Sequence, residues 1–182
     1  MSQAANYVKF CLDKAKKAIQ EGRKHAGLVE VAPDLKKAAT HIRKAEHNFK
    51  AISAFAQIGF SDWSVSAAFY TTYHCFLAIL AKYGYESRNQ ECTVSAIRYL
   101  KDEGKIQIED RLIEALKTHA EGEERHAHTA SDLRELREDF QYGVGVEYKI
   151  GIEQLQKTCA EMLELQRMRY TKSNVKYSVT RP

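Results

Sequence analysis

The sequence predicts an all-α protein, an antiparallel helical bundle. Three observations lead there. Apolar residues recur at steps of three and four over most of the 182 positions. No strand-like alternation of useful length appears before the C-terminal tail. Only two prolines and nine glycines occur, and several of the glycines fall between the periodic segments. With 44% apolar and 29% charged residues, the chain can bury an ordinary core without a disulfide or metal staple. The same balance excludes a disordered or collagen-like chain.

The first helix is expected from about Ala4 to His25, with Val8, Cys11, Ala15 and Ala18 on one side and Gly27 as its stop signal. Pro33 suits the first turn of a second helix, and Asp34 adds negative charge at that end. Its stripe runs through Leu35, Ala38, Ile42, Ala45, Phe49, Ile52 and Ala56 to about Ile58. Gly59 closes it, and Ser61 or Asp62 can cap a third helix that runs to about Tyr83 and stops at Gly84. That third helix has two apolar stripes. One is Ala67, Tyr70, His74, Leu77 and Ala81; the other is Val65, Phe69, Phe76, Leu80 and Tyr83. A helix covered on two sides belongs in the middle of a bundle.

A polar loop, Glu86 to Gln90, leads to a short helix at about Thr93 to Lys101, broken by Gly104. Further helices are expected at Ile108 to His119, Ser131 to Tyr142 and Tyr148 to Tyr170. The acidic stretch Glu121 to Glu124 reads as a turn. The tail after residue 170 reads as frayed. Three regions follow: an N-terminal helix and loop (1–33), the main bundle (34–170) and the tail (171–182).

Trp63 to Ala81 carries no formal charge over 19 residues, close to the length of a membrane span. Ser64, Ser66, Thr71, Thr72, His74 and two tyrosines within it favour the core helix of a soluble bundle. The amino terminus lacks the continuous apolar run of a secretory signal. Cys11, Cys75, Cys92 and Cys159 form no CxxC pair, which argues against a zinc ribbon or a thioredoxin-like site. All four lie in or beside apolar helical patterns, so reduced thiols and a cytoplasmic location are the expectation.

Candidate chemistry is sparse. His119, His126 and His128 lie near Glu121, Glu123 and Glu124, but their spacing matches no paired-ligand motif, so no metal site is expected. His74, in an apolar stripe, reads as a hydrogen-bonded core histidine. Phosphate-binding glycine loops and a GxSxG elbow are both missing. Arg137 borders an apolar face, about 40° from Leu133 and about 60° from Phe140, with Gln141 one turn later. A guanidinium there needs acceptors, either carboxylates of the protein or a phosphate.

Ile42-Arg43-Lys44-Ala45-Glu46-His47-Asn48-Phe49-Lys50, followed by GFSDWSVSAAFYTTYHCFLAILAKYG from Gly59 to Gly84, resembles the opening of HEPN domains. There, a helix reading roughly AYYAxFHAAxALLxxxG follows a short turn. Leu136 to Gly143 is similar to the late RxxxDYG element of the branch that accompanies minimal nucleotidyltransferases. The resemblance spans about Asp34 to Tyr170. It implies a helical bundle that dimerises, with an extra N-terminal helix here. It also implies a nucleotide or RNA ligand, a nucleotidyltransferase partner, a toxin–antitoxin setting and no cofactor.

Active members of that family carry an arginine, four to six residues and a histidine, the histidine to take a 2′-OH proton and the arginine to stabilise the phosphorane. Here Arg43 precedes His47 by three intervening residues, Arg111 precedes His119 by seven, and Arg125 precedes His128 by two. None fits. The position four intervening residues after Arg137 holds Tyr142, a poor general base with a reference pKa of about 10. Gln90 or Glu91 stands where the family has a histidine after the third helix.

The expectation is therefore a non-catalytic homodimeric subunit in which Arg137, Gln141 and Tyr142 bind the ligand. Tyr142 is also a possible target of nucleotidylation. Two alternatives stay open: a metal-independent endoribonuclease toxin pairing Arg137 with Asp139 or Tyr142, and a structural protein-interaction module. The net charge of +4 adds one constraint. Residues 1–50 hold 11 basic and 5 acidic side chains, whereas residues 101–150 hold 8 and 13. Long-range attraction for RNA is thus stronger around the first two helices than around Arg137.

Overall fold

A computed structural model describes residues 2–114 and 151–177, with side chains described through Arg167. The candidate residues Arg137, Asp139, Gln141 and Tyr142 and the His119 to His128 cluster lie outside the described residues. Among those described, six helices and one two-stranded sheet appear: α1 (Gln3–Gln20), β1 (Leu28–Glu30), α2 (Leu35–Gln57), α3 (Ser61–Lys82), β2 (Tyr85–Ser87), α4 (Gln90–Asp102), α5 (Asp110–Glu114) and α6 (Ile152–Tyr177). The all-α bundle is as the periodicity requires.

Helix α3 is the centre. Phe69, Phe76 and Leu80 are fully buried, and α2, α4 and α6 pack around them. By length and mean hydropathy (1.3) α3 passes for a membrane span, yet 78% of that window is buried inside the bundle. Its polar side chains are satisfied in place, as burial demands. Ser64 Oγ donates to the Ile52 carbonyl of α2 at 2.8 Å, and Thr71 Oγ1 donates to the Ala67 carbonyl at 2.8 Å. On the α6 side, the Cys159 thiol donates to the Ala68 carbonyl at 3.5 Å.

Several local expectations need correction. Helix α1 ends at Gln20, and the left-handed residue beyond it is Gly22 (φ 68°), not Gly27. Gly27 has a different job: a Cβ there would sit 2.4 Å from the Cys11 carbonyl, so only glycine lets this turn pack on α1. Asp34 is the N-cap of α2, its carboxylate accepting from the Lys37 amide at 2.8 Å, with Pro33 just outside. Neither Ser61 nor Asp62 caps α3, whose N-cap is Phe60 without a side-chain bond. Helix α6 continues to Tyr177, seven residues past the expected end.

Two departures matter more. The stretch read as a polar loop contains β2, which pairs antiparallel with β1 in the register Leu28 to Ser87, Val29 to Glu86 and Glu30 to Tyr85. Three-residue strands are too short to show period-two patterning. The thiols also differ from expectation. Cys11 and Cys92 are joined in a disulfide that ties α1 to α4, while Cys75 and Cys159 are free and buried. With the paired cysteines 81 positions apart in the chain, nothing local announces the bond.

Candidate functional site

Helices α2 and α3 run antiparallel, and their shared outer face collects the chain's most distinctive side chains. His41 on α2 meets His74 on α3, Nδ1 to Nδ1 at 3.0 Å. The ring centroids are 5.3 Å apart, so the imidazoles meet edge to edge, nitrogen to nitrogen. One nitrogen must donate and the other accept, which fails once both rings are protonated. Burial pushes the His74 imidazole down from the ordinary 6.5 to about 4, and the neighbouring His41 and Lys44 add to it. His41 is also lowered, first by burial and then by Lys37, against an opposing pull from Glu86. His74 is therefore hydrogen-bonded as expected, although it is half-buried and not a core residue.

The sign of the pH effect follows. An imidazole with a depressed pKa in the folded state is protonated first in the unfolded chain. Stability from the pair is complete above about pH 6.5 and is lost as pH falls toward 4. With discounting for solvent screening, about 1–2 kcal/mol is expected over that window. Urea midpoints measured from pH 7 to 4 check it: His74→Leu should flatten this part of the fall, and an unchanged slope would contradict the pairing.

One turn before His41, Lys37 Nζ reaches the Glu86 carboxylate of β2 at 2.5 Å. The same carboxylate receives His25 Nε2 at 3.3 Å and Arg88 Nε at 3.3 Å. The Lys37 bond is the main reason the Glu86 carboxyl lies down at about 2, with burial opposing and His25 helping. An anion held this firmly anchors the sheet to α2; it does not exchange protons near neutrality. Sequence reasoning missed it because its partners come from β2, α2 and the turn before β1.

Farther around α2 lies an exposed cationic stripe. Lys36, Arg43, His47 and Lys50 are all exposed and fall within about 60° of one another on the helix. Lys44, also exposed, bridges from this stripe toward α3. There, Tyr70 and Trp63 are 38% and 50% exposed, and Trp63 leans on Phe55 of α2 with centroids 6.4 Å apart. On the opposite flank the one acidic residue of this half of α2, Glu46, is held by Arg167 of α6 at 2.8 Å. A row of cations on the outer side of α2, with solvent-facing aromatic rings on the neighbouring α3, supplies the residue types that hold a phosphodiester chain with accessible bases.

The residues of the near-miss catalytic motif sit in this setting. Arg43 and His47 are exposed on the outer stripe, with the Arg43 guanidinium donating to Thr40 Oγ1 at 3.1 Å. Gln90 opens α4, and Glu91 accepts from the Tyr7 hydroxyl at 3.1 Å. No group of three or more potential metal ligands forms among the described residues.

The chain matches the HEPN domain family over residues 38–169, well over half its length. It belongs to the HEPN domain family. The match supports a nucleotide- or RNA-related helical domain in general terms. It begins inside α2, so α1 and β1 lie outside it. A comparison with curated proteins found no match. In this HEPN domain Arg43, His47 and Lys50 of the cationic stripe and the His41–His74 contact fall within the matched span, and Lys36 just precedes it.

Proposed function

We propose that this HEPN domain is a non-catalytic binding subunit that takes a nucleotide or single-stranded RNA along the outer face of α2. The observation that carries the reading is the exposed stripe of Lys36, Arg43, His47 and Lys50 on α2, with Tyr70 and Trp63 exposed on the neighbouring helix. Arg137 contributes a phosphate contact, with Gln141 and Tyr142 beside it, as the family element around them implies. The absence of an Arg-x4–6-His arrangement in the sequence supports binding over cleavage. The working form is a homodimer in the cytoplasm, partnered by a nucleotidyltransferase in a toxin–antitoxin-type module. Tyr142 is the residue such a partner would modify.

The test uses the full chain and a fluorescent single-stranded RNA, with free nucleotides as competitors and EDTA present throughout. The wild type should bind and leave the RNA intact. Arg137→Ala should abolish binding while far-ultraviolet dichroism keeps its helical signal. Unchanged binding in that variant would remove Arg137 from the account. Arg137-dependent cleavage would replace this reading with the ribonuclease one. Failure of the wild type to bind either ligand would favour a protein-interaction module.

A further inference from the structure

The four cysteines divide into two kinds. Cys75 and Cys159 are buried in the bundle, where burial pushes the Cys159 thiol up to about 12 and the Cys75 thiol higher still. Such thiols are inert toward exchange while the core stays closed. Cys11 and Cys92 are bonded to each other across the junction of α1 and α4 and are as deeply buried (0% and 2% exposed), so exchange at them requires α1 to move aside.

Beside the disulfide, helix α1 packs on α4 and β1 through small side chains. Its fully buried side chains are Val8, Cys11, Ala15 and Ala18, which are small, whereas α3 buries two phenylalanines and several larger aliphatics. Dispersion and burial scale with apolar area, so α1 contributes a weak apolar contact of its own. The Tyr7–Glu91 hydrogen bond that also joins α1 to α4 is solvent-exposed.

Cys92 lies in the first turn of α4, where the amide of Cys92 itself is taken by Asn89 Oδ1 at 3.0 Å. Once α1 has moved aside, the positive end of α4 favours attack by Cys92 as the first sulfur. The turn that packs on the Cys11 carbonyl through Gly27 leads directly into β1, and β1 pairs with β2. The bond thus fastens the whole segment ahead of α2, the part of the chain outside the family match.

We infer that Cys11 and Cys92 are a thiol–disulfide exchange pair that locks and releases the N-terminal helix. The oxidant is a small-molecule disulfide such as oxidised glutathione. The Cys92 thiolate attacks one sulfur of that disulfide, forming a mixed disulfide and expelling one thiolate. The Cys11 thiolate then attacks the Cys92 sulfur and expels the second. The two thiol protons pass to the two expelled thiolates, and reduction runs the same steps in reverse. Oxidised, α1 is fastened to α4; reduced, it opens locally while the α2–α3–α6 core persists. This inference stands apart from RNA binding.

The experiment equilibrates the full chain in oxidised or reduced glutathione and reads it by alkylation mass spectrometry and hydrogen exchange. In the oxidised buffer a Cys11–Cys92 linked peptide should form, with Cys75 and Cys159 alkylated only after unfolding. In the reduced buffer the α1 amides should exchange at least about tenfold faster, with α2 and α3 unchanged. Cys11→Ser should behave as reduced in both buffers and take up one glutathione on Cys92. No linked peptide in the oxidised buffer, or equal α1 exchange in both, would overturn the proposal. So would glutathione uptake by Cys92→Ser but not by Cys11→Ser.

Discussion

Replacing Phe76 with alanine is expected to destabilise the bundle by about 3–5 kcal/mol, the range for removing a fully buried phenylalanine. Phe76 is 0% exposed on α3, the helix against which α2, α4 and α6 all pack. Two costs combine there: lost transfer free energy of the ring, and a cavity that rigid neighbouring helices close only in part. A domain of this size has a total stability of roughly 5–15 kcal/mol, so the variant should approach the edge of folding at ordinary temperature. Tyr70→Ala, on the same helix but 38% exposed, is the matched control and should cost far less. Urea unfolding followed by the single tryptophan, Trp63, checks both. A Phe76→Ala midpoint close to that of the wild type would mean that α3 is not the central helix.

The bundle itself was legible because burial follows the 3.6-residue period. The α1 stripe Val8, Cys11, Ala15 and Ala18 is the set of its buried residues, and of the α3 stripe Val65, Phe69, Phe76, Leu80 and Tyr83 all are buried but Tyr83, which is half-buried. What escaped was non-local. The Cys11–Cys92 bond, the His41–His74 contact and the grip of Lys37 on Glu86 each join segments far apart in the chain. Periodicity reports which face of an element is inward, not which element lies across from it. The misplaced role of Gly27 has the same origin: its constraint is the Cys11 carbonyl, which only the folded turn brings near. Of the candidate site, the basic character of the first 50 residues was visible as a charge count. Its concentration on one solvent-facing line of α2 needed the helix boundaries and the partner of Glu46.

Charge reversal along that line should have the largest effect on function. Lys36→Glu, Arg43→Glu and Lys50→Glu together take the net charge from +4 to −2, since three reversals remove six units. All three side chains are exposed, so the fold should be nearly indifferent to the change. An RNA strand would meet repulsion in place of attraction and would release fewer counterions on binding. Each lost phosphate contact lowers the slope of log affinity against log salt by about 0.7 for a single strand. Three lost contacts therefore remove about two units of slope, and affinity near 0.1 M salt should drop at least about 100-fold. Tyr70→Ala should weaken binding separately through lost base stacking, by about 1–3 kcal/mol, with the salt slope kept.

The most direct measurement of the central claim is a salt titration of single-stranded RNA binding by fluorescence anisotropy, on the wild type and the triple reversal side by side. The wild type should bind tightly with strong salt dependence, and the variant at least about 100-fold more weakly with a shallow slope. Equal affinity and equal slope in the two proteins would contradict it.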